Sequence, residues 1–190
     1  MIGKSLSEVG MLSPSRQHTH NMSREILRGL SYDSDLLLNF VTQREPLLNI
    51  DQQAIYREVL RRYSKSEDGR GKNIALALAT SGIAATLMTG GRTAHSMLQI
   101  PIDLIHNEIP VCNMKKGSAK SEVLQEAKVL FWDEISMMLK HGFEAVNRTL
   151  QDLRENKDLM GGLIVVLAGD FRQTLPVIPR GTMADEIKAC

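Results

Sequence analysis

The sequence predicts an α/β protein built on a parallel sheet, and three short apolar runs carry that prediction. They are Ile74-Ala75-Leu76-Ala77-Leu78-Ala79, Val129-Leu130-Phe131-Trp132 and Leu163-Ile164-Val165-Val166-Leu167. Each is short, each ends in a polar cluster, and segments of helical periodicity alternate with them. Strands that alternate with helices build parallel sheets, whose ligand chemistry sits at the carboxyl ends of the strands. The clusters at those ends are Thr80-Ser81-Gly82, Asp133-Glu134, and Gly169-Asp170 with Gln173 nearby. A parallel sheet would set all three on one rim.

Bulk properties narrow the classes. The 190 residues suit one domain or a part of something larger. Ten methionines against 4% aromatics make the core aliphatic and adaptable. A formal charge of +1 provides no whole-chain basic field, so a nucleic-acid contact must be a local patch. Cys112 and Cys190 lie far apart without metal-ligand spacing and read as reduced thiols. No apolar run reaches membrane-spanning length and the amino end has no apolar signal core. The expectation is an intracellular protein, nuclear or cytosolic.

Taken in order, residues Met1 to Ser23 are polar without a period and read as a disordered tail. Gly3-Lys4-Ser5 copies the end of a phosphate-binding loop, but no strand or earlier glycine precedes it, and the match is chance. Arg24 to Val41 reads as two short helices broken at Ser31-Tyr32-Asp33. Leu48 to Tyr63 reads as a helix with Asp51 as N-cap and Ile55, Val59, Leu60 and Tyr63 on one face. A charged loop, Ser64 to Lys72, leads to the first strand.

Ser81 then caps a small-residue helix, Met88 to Arg92 turns on glycines, and Thr93 to Leu98 forms a short helix. Pro101 to Gly117 is irregular, and Ser118 to Ala127 is an amphipathic helix feeding the second strand. The periodicity of Leu139, Phe143, Val146, Leu150 and Leu153 predicts a long helix from Ser136 to Asn156. Gly161-Gly162 opens the third strand. Thr174 to Cys190 starts as a proline-punctuated loop and ends in a short helix.

Two adjacent carboxylates at a strand end suit a nucleotide hydrolase. One would hold Mg²⁺ through its water shell; the other would orient or deprotonate the attacking water. On the dipeptide alone Asp133-Glu134 reads first as a helix cap followed by a first-turn acid. Thr80, Ser81 and the N–H groups of a helix start suit a phosphate, including one of a nucleic-acid backbone, while Ser81 also serves as a simple cap. Gln173 suits a γ-phosphate or the attacking water, or else a solvated loop. His95 has no carboxylate or metal-ligand partner spaced for it and reads as a structural or surface residue. Arg92 and Lys72 read as ordinary surface charges.

Together and in order, these clusters resemble the motifs of the Pif-type (petite integration frequency) DNA helicases of superfamily 1B, a group that includes the helicases of Helitron transposons. Ala79-Thr80-Ser81-Gly82-Ile83-Ala84-Ala85 and Gly91-Arg92-Thr93-Ala94-His95-Ser96 resemble motif Ia and the stretch after it. Trp132-Asp133-Glu134-Ile135-Ser136-Met137 resembles motif II, the Walker B box, and Leu167-Ala168-Gly169-Asp170-Phe171-Arg172-Gln173-Thr174-Leu175-Pro176-Val177 resembles motif III. Leu48-Asn49-Ile50-Asp51-Gln52 resembles the upstream adenine-reading segment. The similarity covers roughly Arg24 to Cys190.

The resemblance implies a RecA-like domain that binds ATP with Mg²⁺, steps along single-stranded DNA and separates duplex DNA in the 5′→3′ direction. DNA repair, recombination and telomere maintenance are the processes it implies. Carried over, Asp133 would hold Mg²⁺, Glu134 would activate water, Gln173 would sense the γ-phosphate and Gln52 would contact adenine. Thr80, Ser81, Gly82 and His95 would lie on the DNA side.

One departure stands out. The family places a strand, a Gly-x-x-x-x-Gly-Lys-Thr loop and a helix between the adenine-reading segment and motif Ia. Here Tyr63 passes through the charged loop directly to Ile74, position 66 is Ser, and Gly71-Lys72 is followed by Asn73. That removes the N–H nest and lysine that hold the β- and γ-phosphates. It also removes a strand expected in mid-sheet, so its neighbours must close up or leave backbone groups unpaired. The second RecA-like domain of the family is not among these residues either. The expectation is a partial first motor domain; the alternative is an inactive or degenerate transposon-derived domain that at most binds single-stranded DNA or a partner. A coding segment lost between Asp68 and Lys72 would leave the same trace.

Overall fold

In a computed structural model of the chain, the described residues are 31, 33–65, 74–104, 107, 109–173, 176, 178, 182 and 189. The readings made for the amino-terminal tail, for the helix before Ser31, for Lys72 and for the segment from Thr174 to Cys190 lie largely or wholly outside them.

All three apolar runs form strands: β1 (Ile74–Ala79), β3 (Ala127–Asp133) and β4 (Ile164–Leu167). They pair in parallel, and a fourth strand, β2 (Arg92–Thr93), joins the outer side of β1 to give the order β2-β1-β3-β4. The register sets Leu78 beside Trp132, and Trp132 beside Leu167. β2 was not foreseen: the glycine turn delivers only two residues to the edge of β1, too few to leave a pattern in sequence.

Helices fill the connections. They are α1 (Ser34–Arg44), α2 (Ile50–Lys65), α3 (Gly82–Leu87), α4 (Ala94–Leu98), α5 (Ala119–Glu126) and α6 (Lys140–Leu153). Asp33 caps α1 by accepting from the amides of Asp35 and Leu36, which explains the break read at Ser31-Tyr32-Asp33. Ser118 caps α5, the helix read from Ser118 to Ala127.

Two helix starts differ from expectation. Asn49, not Asp51, caps α2: its side chain accepts from the amide of Gln52, whose own Oε1 accepts from the amide of Asn49. This reciprocal pair satisfies two helix-end donors at once, and Asp51 falls inside the first turn. The long helix begins at Lys140 rather than Ser136. Glu134 takes a left-handed conformation (φ 54°), a single 3₁₀ turn spans Ile135–Met137, and only then does the helix run. The chain needs this detour to turn off the strand end.

The sheet is buried on one face. Ile74, Leu78, Leu130 and Trp132 point into a core closed by Met97, Leu98, Val123, Leu124, Val146 and Leu150 from α4, α5 and α6. Alternate residues face the other way, and there Phe131 remains 37% exposed. Over that second face stands α1, whose Leu36 and Phe40 are 68% and 58% exposed. Between α1 and the sheet lies a cavity of about 830 Å³ lined by Leu36, Leu37, Phe40, Leu76, Val129 and Phe131. The runs thus read as doubly buried strands but are covered fully on one side only.

No gap opens in mid-sheet. Among the described residues β3 pairs directly with β1 on one side and β4 on the other, and the sheet's two edges are β2 and, at the far side, β4. Beside that edge a groove of about 1110 Å³ separates β4 from α2, lined by Ile55, Val59, Arg62, Ile164 and Val166 among others. Arg154 locks the opposite end of the sheet. Its guanidinium donates to the carbonyls of Gly161 (2.8 Å), Leu124 (2.9 Å), Gln125 (2.9 Å) and Ala127 (3.0 Å).

Candidate functional site

The carboxyl ends of β1, β3 and β4 meet on one rim, and hydrogen bonds stitch the three turns together. Thr80 donates its amide to the carbonyl of Asp133 at 3.1 Å. On the other side Ala168 donates to the carbonyl of Trp132, and Ile135 donates to that of Ala168, both at 2.9 Å. Ser136, buried beneath the turn, donates its hydroxyl to the carbonyl of Asp170 at 3.3 Å. Gly169 permits this close approach: a Cβ there would lie 3.0 Å from both the amide nitrogen and the Oγ of Ser136.

Asp133 ends β3 half-buried, and its Oδ1 accepts the amide of Glu134 at 2.9 Å. The helix-cap reading of Asp133 therefore fails, because no helix starts there; the carboxylate folds over its own turn instead. Glu134 is the unusual residue. Its left-handed backbone costs on the order of 1 kcal/mol for a residue with a Cβ. Its Oε2 is buried without a hydrogen-bond partner among the described residues. A buried carboxylate oxygen left unpaired is costly, and such orphans need an explanation in bound water, ion or catalysis.

The remaining predicted residues are distributed around this pair. Ser81 caps α3, its hydroxyl accepting from the amide of Ala84 at 3.2 Å, and Gly82 is the first residue of that helix. Thr80 is half-buried, and its Oγ1 accepts the indole N–H of Trp132 at 3.1 Å. His95 sits in α4, in a hollow shared with Asp103 and Lys120. Partial desolvation holds its pKa below the ordinary 6.5. Arg92 lies on β2.

Gln173 is exposed on the turn after β4, its amide bonded to the carbonyl of Asp170 at 3.1 Å. The Asp170 carboxylate beside it is held below the usual carboxylate range, above all by the Arg172 guanidinium. Gln52 is exposed, and its Oε1 is engaged in the capping pair with Asn49 rather than turned to the rim. Trp132 and Ser136 are the rim residues to which the sequence alone assigned no role. A lone tryptophan one residue before the carboxylate pair was the available signal.

Among the described residues no group of three or more His, Cys, Asp or Glu could hold a metal ion. Mg²⁺ does not need one, since it commonly takes one or two carboxylates and fills its octahedron with waters and nucleotide oxygens. Asp133 with the orphaned Oε2 of Glu134 beside it fits that half of the requirement. Among the described residues no helix is long and apolar enough to cross a membrane.

A parallel sheet with a carboxylate pair and a third polar turn on one rim is a RecA-like arrangement. The family is more specific: residues 55–190 match the PIF1-like helicase model, and the chain belongs to that family. It is 40% identical over 113 residues to the ATP-dependent DNA helicase Pif1 of Psychrobacter sp. (strain PRwf-1), covering 59% of this chain and 17% of the relative. It is 32% identical over 123 residues to the ATP-dependent DNA helicase RRM3 of Saccharomyces cerevisiae, covering 63% and 16%. Among solved structures, one of two coordinating Pif1 helicases unwinding forked double-stranded DNA superposes with a TM-score of 0.57 at 27% identity, over 70% of this chain and 36% of that one. The chain thus spans a small part of the length of these relatives.

Proposed function

We propose that the chain is the partial first motor domain of an ATP-dependent DNA helicase, with its rim divided between a hydrolytic side and a DNA side. The orphaned Glu134 Oε2, buried beside Asp133 at the end of a central strand, is the observation that carries this reading. On the hydrolytic side Asp133 holds Mg²⁺ through water, and the bound ion would offset charge on the nucleotide's phosphates. Glu134 accepts a proton from the attacking water, a role that its unpartnered Oε2 supports. Gln173, exposed on the turn after β4, reports the γ-phosphate. Gln52 meets adenine by releasing its bond to Asn49.

On the DNA side, Thr80, Ser81, Gly82 and His95 face the backbone of a single strand. In the intact motor this couples hydrolysis to 5′→3′ unwinding, in repair, recombination or telomere maintenance, or in a Helitron element, in the nucleus or cytosol. The chain as written behaves differently. Between Lys65 and Ile74 it has no glycine-rich phosphate loop, so it binds single strands without hydrolysing ATP at a useful rate. The test is binding of a labelled oligodeoxythymidylate across a salt series. Affinity that falls with salt and weakens in His95→Ala supports the DNA side. No binding at low salt refutes it.

A further inference from the structure

We propose that Trp132 is a positioning residue for the DNA-facing rim: its indole N–H holds the hydroxyl of Thr80 as an acceptor and so aims the hydroxyl hydrogen outward, as a donor to a nucleic-acid phosphate. This rests on the reading that Thr80-Ser81-Gly82 faces single-stranded DNA.

Trp132 is fully buried, at 0% exposure, and lies in the core facing Phe143. A buried indole N–H needs an acceptor, because an unpaired one forfeits the full cost of its desolvation. The acceptor here is the rim residue Thr80, 52 positions away in sequence, at 3.1 Å.

A threonine hydroxyl has one hydrogen to donate and two acceptor sites, and it rotates to suit its partners. Once the indole N–H occupies an acceptor site, the hydroxyl hydrogen must point away from the indole. Among the described residues no acceptor takes that hydrogen. Thr80 is half-buried rather than enclosed, so a ligand at the rim can supply the missing acceptor. A phosphate oxygen, rich in lone pairs and poor in hydrogens, has the chemistry to do so.

The same residue is held a second time by β3. The Thr80 amide donates to the carbonyl of Asp133, the residue that follows Trp132. Register explains the double hold: Leu78 pairs with Trp132 and Ala79 with Asp133, so Thr80 is where the chain leaves the sheet while still tied to its neighbour. Backbone and side chain of Thr80 are thereby both referenced to the strand that carries the carboxylate pair. A displacement of the Asp133 end of β3 is passed directly to the DNA side.

Trp132 is the only tryptophan in the sequence, so its emission reports on this bond without added label. The full chain is titrated with unlabelled oligodeoxythymidylate while indole emission is followed, and affinity is measured in parallel by anisotropy of a labelled strand. Wild type is expected to bind with a change in emission. Thr80→Val should lose the emission change, and Thr80→Val and Trp132→Phe should each weaken binding about five- to tenfold, the scale of one hydrogen bond. The double variant should bind no more weakly than either single variant, and Thr80→Ser should restore both signals.

Thermal unfolding separates positioning from structure: Thr80→Ser and Thr80→Val leave the tryptophan in its core, so their comparison stands even where Trp132→Phe lowers the melting temperature. Wild-type binding that Trp132→Phe and Thr80→Val leave unchanged overturns the inference alone, with the DNA-binding reading intact. A wild type that does not bind the strand overturns both.

Discussion

Gly169 and Ser136 are pressed together at the centre of the rim, with no room between them for a single methyl group. An added Cβ would come within 3.0 Å of the Ser136 amide nitrogen and of its Oγ. Ser136 cannot give way freely, because its hydroxyl bonds Asp170 and its neighbour Ile135 bonds Ala168. Gly169→Ala is therefore expected to destabilise the fold by about 1–3 kcal/mol, the usual cost of overpacking. Chemical denaturation checks this, and a variant as stable as wild type would mean that the two turns are less tightly joined than described.

Arg154 gives a second prediction, on stability alone. Its guanidinium satisfies four carbonyls from three segments, which no other donor replaces when it is removed. Arg154→Met should cost roughly 2–4 kcal/mol in unfolding free energy, since it strands several half-buried acceptors at once. Arg154→Lys should rescue little, because one ammonium cannot reproduce the planar fork. Equal stability of the Met variant and wild type would contradict this.

His95 supplies a pH dependence. Its pKa lies below 6.5 because the folded protein partly desolvates the ring, so it is neutral at pH 7. Phosphate binding favours the protonated ring, and binding must then take up a proton. Affinity for single-stranded DNA should rise as pH falls from neutrality through the depressed pKa. Asp103 and Lys120 line the same hollow, and His95→Gln subtracts any contribution of theirs. A wild-type profile parallel to that of His95→Gln would remove His95 from the interface.

How far the sequence disclosed this structure depends on the range of the interactions. Strands β1, β3 and β4, the cap Ser81, the helix after Ser118 and the short helix carrying His95 are local patterns, and each is present in the fold. What the chain concealed is set by distant partners. β2 exists because β1 offers it an edge. The delayed start of α6 follows from the left-handed turn at Glu134, a conformation no propensity favours for glutamate. Asn49 outcompetes Asp51 as a cap through a reciprocal bond with Gln52, a pattern visible only once the helix start is known.

The site divides in the same way. The rim ties Thr80 to Asp133 by a backbone hydrogen bond between neighbouring strand ends, and Asp170 to Ser136 through the serine hydroxyl. Gln52 and Gln173 were legible as motif residues, yet the Gln52 side chain is engaged with Asn49, and Gln173 is tied by its backbone amide to the carbonyl of Asp170. Residue type does not reveal such local alternatives. The missing phosphate loop, by contrast, is a matter of spacing and is legible in sequence without the fold.

The most direct test of the account is phosphate release from ATP by the full chain, with Mg²⁺ and with and without single-stranded DNA, measured beside Glu134→Gln. The account predicts release at background for both proteins, unchanged by DNA, because Asp133 and Glu134 have no loop to present the β- and γ-phosphates. Release that rises with single-stranded DNA and vanishes in Glu134→Gln would contradict it, and would mean that this rim holds a nucleotide by other means.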